Sequence, residues 1–135
     1  MSGARPYLLL PDEHVEHGDS GVKASRESTA GAFTLIESRA EGGAPPHVHS
    51  REDEAMYVLE GRIAARCEDA RFDARRGSFV FLPRGLRHSW DVVGDAATVL
   101  IITAPAGLEE FLRDFHNARG AERRNVGARY GIRFL

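Results

Sequence analysis

Between Gly42 and Gly61 the chain reads GGAPPHVHSREDEAMYVLEG, and the placing of its polar residues limits what can be built around it. His47 and His49 are one residue apart. In an extended strand alternate side chains share a face, so both imidazoles look in one direction. Glu54, five residues past His49, breaks that parity. The polar run Ser50-Arg51-Glu52-Asp53 suits a bend, after which Glu54, Met56 and Val58 share the inner face of the next strand. Two imidazoles and a carboxylate then converge from neighbouring strands. Borderline-hard divalent metals take such nitrogen and oxygen donors.

A second stretch, GSFVFLPRGLRH from Gly77 to His88, supplies a fourth donor. A turn glycine opens a short apolar strand, Pro83 and Gly85 force a tight reversal, and His88 follows. Together the two stretches resemble the paired motifs of the cupin superfamily, G-x5-H-x-H-x3-4-E-x6-G and G-x5-P-x-G-x2-H-x3-N. Gly42 sits one residue closer to His47 than the first motif asks, and Val92 stands where the second has Asn. The resemblance implies metal-ligand roles for His47, His49, Glu54 and His88. It implies one divalent transition metal, and Fe, Mn, Ni, Co, Cu and Zn all suit such donors.

The chain has 135 residues, which predicts a single domain over 1–135 with one substantial core. The metal-site core spans 42–92. Eighteen basic residues against twenty acidic ones leave a net charge of -2, a balance that points away from nucleic acid and anionic membranes as partners. The single cysteine, Cys67, follows Ile63 and Ala65 at period two and reads as a small buried hydrophobe. One cysteine excludes an intrachain disulfide and fits a reducing compartment. No stretch has the apolar length of a signal peptide or a bilayer span, so a cytoplasmic location is expected.

Short strands with turn signals between them predict an all-β antiparallel barrel or jelly roll. Tyr7-Leu8-Leu9-Leu10 reads as an edge strand closed by Pro11. His14 and His17 fall in a polar loop without carboxylate partners at useful offsets, and Ser28 to Gly31 reads as a turn. Phe33 and Leu35 share one face of a strand, Phe79 and Phe81 share another, and Thr98 to Thr103 is apolar on both sides. Leu108, Phe111, Leu112 and Phe115 recur at helical spacing, which predicts a C-terminal amphipathic helix over about 107–117 whose stripe docks on the barrel. The tail AERRNVGARYGIRFL ends in Tyr130, Ile132, Phe134 and Leu135 and is expected to pack.

Three neutral imidazoles, one carboxylate and a divalent ion give a site of net charge +1 with room for water, dioxygen or a bidentate substrate. A structural zinc more often takes cysteine, so an open, functional metal is favoured. Glu54 is the candidate catalytic base for an enol proton. Met56, Trp90 and Phe33 are the candidate substrate-binding residues that line the cavity. HVHSREDEAMYVLEG, SFVFLPRGLRHSW and PAGLEEFLRDF resemble the small single-domain cupins of the quercetin 2,3-dioxygenase-like group. That resemblance implies a dioxygenase acting on a small enolic, phenolic or flavonol-like compound. A metal-dependent isomerase, cyclase or lyase and a non-catalytic small-ligand-binding module are the alternatives. A homodimer is expected, with the strand at Tyr7–Leu10 contributing to its interface.

Overall fold

The computed structural model describes residues 3–135. Its elements run β1 (Val22–Ala24), α1 (Arg26–Thr29), β2 (Thr34–Ala40), β3 (Ala44–His49), β4 (Asp53–Glu60), β5 (Arg62–Cys67), β6 (Ala70–Arg75), β7 (Phe79–Leu82), β8 (His88–Val92), β9 (Ala97–Ala104), α2 (Leu108–Asn117), α3 (Glu122–Arg129) and β10 (Ile132–Phe134). The strands form two five-stranded sheets, β1-β2-β9-β4-β7 and β10-β3-β8-β5-β6. Every pairing is antiparallel. The inner faces interdigitate as two sheets of a jelly roll do, with Met56, Val58, Val80, Leu82 and Val99 from one meeting Ile63, Ala65, Cys67 and Ala74 from the other.

Period-two alternation decides which side chains go inside. In β5 Ile63, Ala65 and Cys67 are buried while Arg62, Ala64 and Arg66 are exposed. In β4 the buried residues are Glu54, Met56 and Val58, so the strand that carries a carboxylate into the interior also carries core. Two glycines make the turns close enough for this. Gly61 links β4 to β5 at φ 78°, where a Cβ would meet Ala96 O at 2.7 Å. Gly43 brings β3 against β8 so closely that a Cβ would lie 1.9 Å from Trp90 O.

A second core lies outside the first sheet pair. Leu108 and Phe111 of α2 join Val126 of α3 and Ile132 of β10 on Val22 and Ile36. The acidic start of α2 does more than favour the helix dipole. Glu109 accepts a hydrogen bond from Thr34 Oγ1 at 2.5 Å and from Arg26 N at 3.1 Å, and Arg26 Nε donates to Glu110 at 2.5 Å. These contacts fix α2 over the open end of the sheets.

Three local expectations are corrected. Tyr7–Leu10 forms no strand, because the outer edge of β1 is already taken where Val15 N donates to Val22 O at 2.9 Å. Ser28–Thr29 is not a simple turn but the end of α1, nucleated by a capping box between Ser25 and Ser28. The tail contains α3 and then β10, which pairs with β3 in the register Ile132↔His49 and Phe134↔His47.

Candidate metal centre

β3 turns His47 and His49 inward, β4 brings Glu54, and β8 brings His88 opposite His47. One donor atom from each of the four lies within 4.8 Å of the others, and all four residues are buried. His47 Nε2 and His49 Nε2 are 3.1 Å apart. Glu54 Oε1 is 3.3 Å from His49 Nε2 and 3.8 Å from His88 Nε2. The bend after His49 restores the parity that the sequence spacing breaks.

The donor set passes a test of fit that does not depend on its sequence motif. Neither ring nitrogen of His88 has a hydrogen-bond partner, although both are buried. An unsatisfied buried polar group is costly, and an ion at the centre of the four residues removes that cost. The other two rings are oriented from behind. His47 Nδ1 donates to Pro45 O at 2.6 Å, and His49 Nδ1 donates to Glu52 Oε1 at 2.6 Å. Each ring therefore presents Nε2 to the centre.

Glu52 is the residue that the sequence reading missed. It reads there as part of a polar bend, yet it is buried and backs the candidate ligand His49. A carboxylate three residues past a candidate ligand histidine is the signal that could have found it. Glu52→Ala should weaken zinc binding about 10- to 100-fold with the fold intact, as measured by competition with a chromogenic chelator. Unchanged affinity would show that His49 needs no support.

The electrostatics follow from burial and from these contacts. Burial works against charge on His49, but Glu52 and Glu54 at its two nitrogens outweigh it and raise the pKa from 6.5 to about 9. At His88 burial dominates over Glu54, with His47 and His49 adding to it, and the pKa falls to about 4. Burial likewise pushes His47 down. For Glu54 burial is overcome by His49, then by His88 and His47, so the carboxylate stays below its ordinary range and is ionised at neutral pH. At pH 7 the metal-free centre thus holds a proton on His49 that an ion must displace. Zinc uptake should release about one proton per ion, and its affinity should rise from pH 7 towards pH 9 and then level. Calorimetry in buffers of different ionisation enthalpy reads this directly, and equal heats in all of them would contradict it.

His47, His49 and Glu54 of the centre line a cavity of about 620 Å³. Trp90 lines it, with Ile101 and the α2 residues Leu108, Phe111, Leu112 and Phe115. Met56 and Phe33 do not. Two residues beyond Glu54, the inner face of β4 has already entered the closed core, where Met56 has no exposed surface. Phe33 precedes β2 on the side opposite to the inward Thr34 and lies 38 % exposed outside. His14 and His17 are exposed and stay apart from the four ligands. No helix among the described residues is long and apolar enough to cross a membrane.

Among solved structures, KdgF from Halomonas sp. superposes with a TM-score of 0.57 at 18% identity, covering 73% of this chain and 90% of that one. A putative ethanolamine utilization protein Q from Salmonella typhimurium gives 0.54 at 20% identity, covering 64% and 68%. A cupin-2 domain containing protein from Shewanella frigidimarina gives 0.52 at 22% identity, covering 62% and 76%. These likenesses speak to the fold alone. No curated protein sequence matches the chain significantly. Residues 34–104, just over half of the chain, match the family described as Cupin domain, and that span holds all four converging donor residues. The chain belongs to the cupin family.

Proposed function

We propose that this cupin is a metal-dependent dioxygenase of the quercetinase-like kind, acting on a small enolic, phenolic or flavonol-like compound in the cytoplasm. The observation that carries the reading is the four-residue donor set, three of whose members line a largely apolar cavity. A bound ion would supply Lewis acidity and coordination places for the substrate's oxygens and for dioxygen.

The chain's own residues do the rest. His47, His49 and His88 would hold the ion, and Pro45 and Glu52 keep the first two rings aimed at it. Glu54, which its histidine neighbours keep ionised, would take the enol or phenol proton at Oε1. Trp90 and the apolar side of α2 hold a flat substrate body and exclude water. The buried thiol of Cys67, which burial pushes up, is consistent with a reducing compartment.

The test is oxygen uptake by protein stripped of metal and reloaded with each of the six candidate ions. Catechols, flavonols and β-dicarbonyls are the substrates to screen. Consumption of dioxygen in step with substrate, with both oxygen atoms in the product, supports the proposal. Substrate conversion without oxygen uptake moves the chain to the isomerase, cyclase or lyase reading. Saturable binding with no conversion leaves a small-ligand-binding module.

A further inference from the structure

From the metal centre to the cavity rim runs a line of ring contacts. The His47 ring lies 6.0 Å from that of Phe134, and Phe134 lies 5.5 Å from Phe115. The Arg123 guanidinium carbon sits 4.9 Å above the Phe115 ring. Arg123 is also tied by Nε, which donates to Ala118 O at 3.1 Å. Its remaining two nitrogens form a held fork with no carboxylate partner among the described residues, and Arg124 beside it has none either. Both arginines line the cavity, and Glu54 of the metal centre is the sole acidic side chain that does so.

We propose that the ligand of this cavity is a flat apolar molecule with a chelating oxygen pair at one end and a carboxylate at the other. The oxygen pair would meet the metal centre, and the carboxylate would meet Arg123 and Arg124. A planar guanidinium recognises a carboxylate with two parallel hydrogen bonds, and one already stacked on an aromatic ring loses little freedom in doing so. This inference rests on the chelation reading given under Proposed function and adds the anionic end.

Trp90 is the chain's only tryptophan and lines the cavity, so its fluorescence reports occupancy. The test uses zinc-loaded protein, which leaves a catechol unoxidised, with caffeate and its methyl ester, which differ by one negative charge and one methyl group, as probes. Caffeate should bind at least about tenfold more tightly than the ester. In the Arg123→Gln/Arg124→Gln double variant the two should bind within about twofold of one another, because the acid loses its advantage. Equal binding of acid and ester by the wild type, or a preference that survives the double substitution, overturns the arginine contact. Binding of both that is indifferent to zinc removes the chelating end, and a remaining preference for the acid then keeps the arginine end standing. No quenching by either probe overturns both.

Discussion

Replacing Glu54 by Gln should lower turnover by about 10²- to 10⁴-fold while the ion remains bound at reduced affinity. The amide keeps the size and one acceptor oxygen but has no charge and takes no proton. His47, His49 and His88 still supply three donors, so metal content measured on the purified variant separates lost binding from lost chemistry. Raising the pH should restore part of the rate, because the substrate then ionises without help. A purely Lewis-acid site loses activity only in proportion to lost metal. Undiminished activity per bound ion would remove Glu54 from the role of base.

His88→Leu should do two opposite things. Zinc occupancy should fall sharply, as it should in the Ala variants of His47, His49 and His88. Leucine or alanine puts no donor atom where the imidazole nitrogen was, whereas the Glu54→Gln variant still offers an oxygen. The metal-free protein should nevertheless gain about 1–3 kcal/mol, the typical cost of a buried polar group left without a partner. Both ring nitrogens of His88 are in that condition, and leucine is apolar and of similar volume. Urea denaturation of chelator-treated wild type and variant measures the difference. A variant less stable than metal-free wild type would mean that the imidazole is satisfied without an ion.

The ligands were legible in the sequence because strand geometry maps spacing onto direction. His47 and His49 obey period two along β3, and the bend at Ser50–Glu52 accounts for the odd step to Glu54. The same rule placed Met56 on the inner face but could not say where the cavity ends and the closed core begins. Alternation likewise pairs Phe79 with Phe81 without saying that the face is outward, since Val80 and Leu82 are equally apolar and take the inside. Glu52 escaped because its partnership with His49 depends on how the chain bends between two strands. Strand β10 escaped for another reason: three residues carry too little periodicity, and their partner β3 lies far away in sequence.

That last pairing bears on when the site comes into being. β3 holds two of the four donors, and its neighbours in the sheet are β8 and β10, so one flank of the donor strand waits for the end of the described chain. Contacts between sequence-distant strands close late, after the loop entropy between them has been overcome. During synthesis, the amino-terminal half can present His47, His49 and Glu54 but not His88, and β3 stays an open edge until Ile132–Phe134 emerges. The donor set is therefore complete only once β8 has joined β3, and the donor strand is flanked on both sides only once β10 has paired, so firm retention of an ion should follow the closing of the second sheet.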